Sequence, residues 1–235
     1  MAEVDIIIPV YRPANNWASN LAQALSNGLD TTHIYNLIIV NDGGKRLHKD
    51  EKILLEKVSD LTHINEVKII EYKDNQGKGY TIRKGIEVSS GELIVYTDDD
   101  LPYGMDAIND MIKRLSDNAE VVLPDRGADY FRSLPLKRRI ISKGLIWMNS
   151  LLMGMKHPDT QAGLKGLNCQ VANLIQEGKE NGFLFEVEWI QDVEKAGIAI
   201  TTIPVKINKE ALPSGVPGGD IWKLLKAYLR LFRSR

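Results

Sequence analysis

A chain of 235 residues is long enough for one large domain or two small ones, and 43% apolar with 26% charged residues is the make-up of an ordinary globular protein. A net charge of −1 argues against a nucleic-acid partner, and one cysteine, Cys169, excludes an intrachain disulfide and fits a reducing compartment. Met1-Ala2-Glu3-Val4-Asp5 lacks the basic and apolar regions of a signal peptide, and no stretch approaches the roughly 18 apolar residues that would span a bilayer, so a soluble or peripheral protein is expected.

In chain order, Val4 to Val10 reads as a strand that contains a proline, and Asn15 to Leu25 has helical spacing that stops at Asn27-Gly28. Leu37 to Val40 is a second apolar strand, closed by Asn41-Asp42-Gly43-Gly44. His48 to Leu61 is a helix, and Val67 to Tyr72 a third strand. Asn75-Gln76-Gly77-Lys78-Gly79 turns into a helix that ends at Ser89-Ser90-Gly91, with glycine as its cap. Leu93 to Thr97 climbs as an apolar run into Asp98-Asp99-Asp100-Leu101, and a helix over about 105–115 and the strand Val121 to Leu123 follow. Nearly continuous apolar strands alternating with helices predict a parallel sheet covered on both faces. The second half is less regular. Helices are expected over Leu136–Met153, Cys169–Asn181 and Glu186–Lys195, with a strand over Ile198–Val205. A Pro/Gly linker spans 211–219, and a final helix runs from Asp220 to Arg233.

The chemistry gathers in the loops after the first, second and fourth strands, which a parallel sheet brings to one edge. Asp98 and Asp100, two apart in an extended chain, would point the same way. Adjacent carboxylates are hard to keep ionised without a cation, and hard oxygen ligands suit Mg²⁺ or Mn²⁺; a solvated acidic turn is the equal alternative for this stretch alone. Asp42 can accept hydrogen bonds from a nucleobase or sit in an ordinary Asp-Gly turn. Lys78 and the N–H groups beside it could meet a phosphate or merely start a helix. Arg132, Lys137, Arg138, Arg139 and Lys143 form a basic segment free of acids that suits an anionic partner or a solvated helix face.

Taken together, Ile8-Pro9-Val10-Tyr11, Val40-Asn41-Asp42-Gly43, Asn75 to Gly79, Ser90-Gly91-Glu92 and Asp98-Asp99-Asp100-Leu101 closely resemble the motifs of family 2 glycosyltransferases of the GT-A fold, over residues 3–207. Asp159-Thr160-Gln161-Ala162-Gly163-Leu164-Lys165 is similar to the Asp-Thr-Gln-Cys-Gly-Phe-Lys box of the dolichyl-phosphate and polyprenyl-phosphate branch. Asn41-Asp42-Gly43-Gly44 departs from the usual Asp-Asp-Gly-Ser, and Tyr11-Arg12-Pro13 from Tyr-Asn-Glu. The resemblance implies an α/β chain with a mostly parallel sheet. It implies one GT-A catalytic domain over 1–210, with a nucleotide-binding half (1–125) and an acceptor-binding half (126–210), before a linker and amphipathic helix (211–235).

The same resemblance implies roles for single residues. Pro9, Val10, Tyr11, Asp42, Lys78, Asp98 and Asp99 would bind the nucleotide. Asp100, with Asp98, would hold Mg²⁺ or Mn²⁺. Asp159, Gln161 and Lys165 would line the sugar and acceptor side. Arg126 and Arg139 could meet phosphates, and Glu186 and Glu188 could act as base or as favourable charges at a helix start. The activity expected is inverting transfer of a hexose such as glucose from a UDP-linked donor to a polyprenyl phosphate. The alternatives are elongation of a saccharide in surface-polysaccharide synthesis and a non-catalytic nucleotide-binding protein. In the last helix, Trp222, Leu225, Tyr228, Leu229 and Phe232 oppose Lys223, Lys226, Arg230 and Arg233. That pattern suits an interfacial anchor, with docking on the core or on a second subunit as the alternative. A cytoplasmic protein, peripheral on the inner membrane face, is therefore expected, and a homo-oligomer stays open.

Overall fold

The computed structural model describes residues 1–44, 47–182, 184–208, Tyr228 and Leu231. Strands β1 (Glu3–Val10), β2 (Ile34–Asn41), β3 (Ile64–Glu71) and β4 (Leu93–Thr97) alternate with α1 (Trp17–Gly28), α2 (His48–Val58) and α3 (Lys78–Glu87). Then follow α4 (Gly104–Ser116), β5 (Val121–Asp125), α5 (Gly127–Ser133), α6 (Leu136–Met153), β6 (Leu164–Asn168), α7 (Ala172–Glu177), α8 (Phe185–Lys195) and β7 (Ile200–Pro204). The seven strands form one sheet in the order β3-β2-β1-β4-β6-β5-β7. All pairings are parallel except those of β6, which runs antiparallel to β4 and to β5.

The period-2 alternation of the central strands assigns their side chains to two cores. Ile6, Ile8, Leu37, Ile39 and Val95 pack with residues of α1 and α4 on one face. Ile7, Ile38, Val40, Ile94 and Tyr96 pack with α3, α7 and α8 on the other. Both faces are covered, so the strands read as unbroken apolar runs, each buried side chain contributing about 1.5–3 kcal/mol. Asp5 is fully buried inside β1. Its carboxylate accepts the N–H groups of Ser90 and Gly91 and the Asn36 amide, tying β1 to the turn before β4.

The expected helix over 136–153 has the observed bounds. The expected helix over Cys169–Asn181 shortens to Ala172–Glu177, because Gly178 leaves it extended and the 178–182 loop docks elsewhere. Strand β6 is absent from the expectation because Leu-Lys-Gly-Leu-Asn carries no apolar run. Gly166 within it leaves room for α4, since a Cβ there would lie 2.6 Å from Met111 Cγ. Helix α5 was likewise unforeseen. The linker over 211–219 and most of the helix expected over 220–233 lie outside the described residues; Tyr228 and Leu231 are helical and buried in the second core. No helix among the described residues is long and apolar enough to cross a membrane.

Candidate active site

The loops after β1, β2 and β4 converge at the C-terminal edge of the parallel strands. The Asp42 N–H donates to Val10 C=O at 2.8 Å, joining the first two exits. Pro9 and Val10 end β1, and Tyr11 beyond them is 46% exposed with the Arg12 guanidinium over its ring. Asp42 is buried, and both its carboxylate oxygens are engaged. Oδ1 accepts the Gln76 N–H at 2.7 Å, and Oδ2 accepts Gly77 N–H at 3.0 Å and the Asn75 amide at 2.7 Å. The residue expected to meet a nucleobase thus fixes the turn that starts α3. Gly77 has φ 97°, and a Cβ on it would lie 2.4 Å from the Asn181 carbonyl oxygen. Gly79 N–H donates to that same oxygen at 2.8 Å. The glycines here admit the 180–181 loop rather than an open phosphate cradle.

β4 ends at Thr97, and the chain turns at once. Leu101 N–H donates to Asp98 C=O at 3.1 Å, with Leu101 at φ 46°. The side-chain alternation expected of Asp98 to Asp100 requires an extended chain, so this turn corrects the expectation that Asp99 faces away from its neighbours. Burial, then the charges of Asp100 and Asp98, push the Asp99 carboxyl up to about 6. Burial, then Asp98, push Asp100 up as well. Asp98 differs in having a cation: Lys78 Nζ lies 2.8 Å from its Oδ1.

Among the described residues no three His, Cys, Asp or Glu side chains form a ready-made metal cage. Mg²⁺ or Mn²⁺ is commonly held by one or two carboxylates and completed by water and substrate phosphate. The crowded, partly desolvated carboxylates of Asp99 and Asp100 have the chemistry for such a cation, and Asp100 is the more exposed. Asp98 N–H donates to Gly163 C=O at 3.0 Å, and a Cβ on Gly163 would lie 1.8 Å from Asp98 Oδ2. Gly163→Ala is therefore expected to displace the Asp98 carboxylate from Lys78. Turnover should drop about tenfold or more, while a solvent-facing ion pair of this kind costs only about 1 kcal/mol of stability. Parallel kinetics and thermal melts check the contrast.

Behind Asp98 the charges alternate inward. Lys78 also lies 3.2 Å from Glu186 Oε1, and Glu186 Oε2 accepts from Lys165 Nζ at 2.6 Å. Lys165 sits on β6, opposite Tyr96, with no solvent exposure. It donates further to the carbonyls of Thr160 (2.8 Å) and Ala162. Burial lowers its pKa, Glu186 opposes that, and Lys78 adds to it. For Lys78 burial also works downward, but Asp98 and Glu186 outweigh it and hold the ammonium protonated.

The remaining expected residues fall into separate contacts. Arg126 is buried at the start of α5, stacks 4.3 Å from the Tyr130 ring, and grips Asp159 through two nitrogens. Gln161 Nε2 donates to Thr160 Oγ1 at 3.2 Å. Arg139 donates to the carbonyls of Arg132 and Leu134, which shapes the turn between α5 and α6. Glu188 accepts the N–H groups of Lys179 and Glu180 at 3.0 and 2.8 Å, holding the loop that packs on Gly77 and Gly79. Tyr103, which sequence reasoning did not single out, lies close enough to the candidate site to feel its charges. Burial raises its hydroxyl pKa, and it feels the charges of Arg126, Asp159 and Asp98; its position just past the aspartate run was the available signal.

A family model described as glycosyl transferase family 2 matches residues 5–173. The chain belongs to that family. Relatives of this family 2 transferase include the UDP-N-acetylglucosamine–dolichyl-phosphate N-acetylglucosaminyltransferase of Methanococcus voltae. It is 26% identical over 186 residues, 73% of this chain and 72% of the relative. An uncharacterized glycosyltransferase of Synechocystis is 25% identical over 53% of this chain, which spans only 37% of that protein's length. Among solved structures, glucosyl-3-phosphoglycerate synthase of Mycobacterium tuberculosis superposes with a TM-score of 0.65 at 13% identity, covering 98% of this chain and 80% of that one. A mannosyltransferase of Pyrobaculum calidifontis, solved with GDP-mannose and Mn²⁺, gives 0.63 at 15% identity over 96% of this chain and 61% of that one. At such identities the structural likeness shows the fold, which is that of GT-A transferases.

Proposed function

We propose that this family 2 transferase moves a hexose, with inversion, from a nucleotide sugar to a polyprenyl phosphate with the help of Mg²⁺ or Mn²⁺. Residues 1–125 would bind the donor and 126–210 the acceptor. Asp100, with Asp99 or Asp98 beside it, would hold the cation, which when bound neutralises charge on the departing diphosphate. In the reaction the anomeric carbon–oxygen bond to the diphosphate breaks, the nucleoside diphosphate leaves with the electron pair, and an acceptor oxygen bonds to the opposite face. Lys78 would steady the donor's negative charge, and Tyr11 would offer its exposed ring to the nucleotide.

The observation that carries the acceptor class concerns general bases. A hydroxyl acceptor needs a free carboxylate to take its proton, whereas a phosphate is already an anion. Of the three carboxylates expected on the acceptor side, Glu186 is paired to two lysines, Glu188 to backbone N–H groups and Asp159 to Arg126. Between Tyr130 and Pro158 the chain has no acid and carries Arg132, Lys137, Arg138, Arg139, Lys143 and Lys156. The M. voltae relative, named for a UDP donor and a dolichyl-phosphate acceptor, supports the same pairing; the GDP-mannose of the Pyrobaculum complex supplies the competing nucleotide. The test is transfer from labelled UDP- and GDP-hexoses, with Mn²⁺, to a short-chain polyprenyl phosphate or to free oligosaccharides. Label in the lipid fraction from a UDP-hexose is the expected result. Label only in oligosaccharide overturns the acceptor, and label only from a GDP-hexose overturns the nucleotide.

A further inference from the structure

Helix α6 exposes large apolar side chains where a water-facing helix carries charge: Leu136 is 69% exposed, Ile140 63%, Trp147 61% and Leu151 62%. At about 100° per residue these four fall within about 60° of one another along a helix about 27 Å long. Its buried residues, Leu145, Asn149 and Met153, lie on the opposite side. Tyr228 donates to Asn149 Oδ1 at 2.6 Å, so the described C-terminal residues meet that buried side and not the stripe. Lys137 and Lys143, both exposed, flank the stripe on either edge.

We propose that this stripe is a docking surface for an anionic lipid bilayer. Apolar side chains including Trp on one line, with basic groups beside them and no acid from Tyr130 to Pro158, are complementary to acyl chains beneath negative headgroups. A second copy fits worse, because an isologous contact sets Lys137 and Lys143 against like charges. Helix α6 belongs to an excursion that leaves β5 and returns to β6 at the edge holding Asp98, closed at its root by Arg126 and Asp159. Docking through α6 would set the site over the lipid surface. This surface lies on a helix in the middle of the chain, apart from the amphipathic C-terminal helix expected over 220–233, most of which lies outside the described residues.

The test is flotation of the full chain with vesicles of phosphatidylcholine, with and without phosphatidylglycerol, lacking donor and acceptor, so its outcome is independent of the transferase reading. Binding to the anionic vesicles is expected. Ile140→Ser with Trp147→Ser should weaken it about tenfold or more. Lys137→Glu with Lys143→Glu should remove the preference for anionic lipid. All four side chains are exposed, so circular-dichroism melts should match the wild type. Equal flotation of wild type and both double variants overturns the proposal. So does a wild type that ignores vesicles but sediments as a dimer that Trp147→Ser dissociates.

Discussion

Asp100→Ala is expected to reduce sugar transfer by about 10²–10³-fold, the range seen when one group facing developing negative charge is lost, and to abolish the thermal shift that Mn²⁺ and donor together produce. The physical reason is the division of labour within the turn. Lys78 already neutralises Asp98 at 2.8 Å, so Asp98 gains little from a further cation. Asp100 is held up by burial and by Asp98, and a divalent ion would relieve it. Without cation, removing Asp100 takes a repelling charge from Asp99, so the melting temperature should hold or rise. A drop in activity with unchanged intrinsic stability is therefore the signature. Full turnover in Asp100→Ala would place the cation elsewhere. Asp98→Asn should behave differently: it frees Lys78 to lean on Glu186 and alters donor binding with less effect on the Mn²⁺ requirement.

The first half of the fold was legible because its central strands β1, β2 and β4 are apolar runs. Leu93 to Thr97 and Leu37 to Val40 cannot pack except between two helical layers. What escaped was what depends on partners distant in sequence. Lys165 sits in a five-residue strand that reads as a polar loop until Glu186, twenty-one residues on, neutralises it. Asp42 reads from its own turn as a ligand group or a plain Asp-Gly turn, and its hold on the 75–77 turn, more than thirty residues on, is not signalled there. Alternation across Asp98 to Asp100 failed because the run itself turns at Asp99 and Asp100, with Leu101 N–H closing on Asp98 C=O. The basic segment was visible as charge, but its apolar stripe emerges only when the buried face of α6 is known.

Glu186→Gln is expected to be the most destabilising single change in the site, by about 3 kcal/mol or more, because removing one partner of a buried ion pair strands the other. Glu186 is 6% exposed and Lys165 fully buried, and the two are 2.6 Å apart. Lys165 would keep only the Thr160 and Ala162 carbonyls, which satisfy its N–H donors but not its charge. The effect should depend on pH in a definite sense. Burial already lowers the folded-state pKa of Lys165, and Glu186 is the main group that raises it. Without Glu186 the folded pKa falls further below its unfolded value. A lysine depressed on folding destabilises at low pH, and stability returns as pH climbs through its folded pKa, since the unfolded chain then binds more protons. That window opens at lower pH in the variant than in the wild type, so the deficit should shrink as pH rises in denaturant titrations. Lys165→Met in the Glu186→Gln background removes the stranded charge and should recover part of the loss, giving a coupling energy of at least about 1 kcal/mol in the double-mutant cycle. A deficit that is flat with pH, or a cycle that closes near zero, would mean that Lys78 rather than Lys165 is the partner that matters, and that the inward run of charge stops at Glu186.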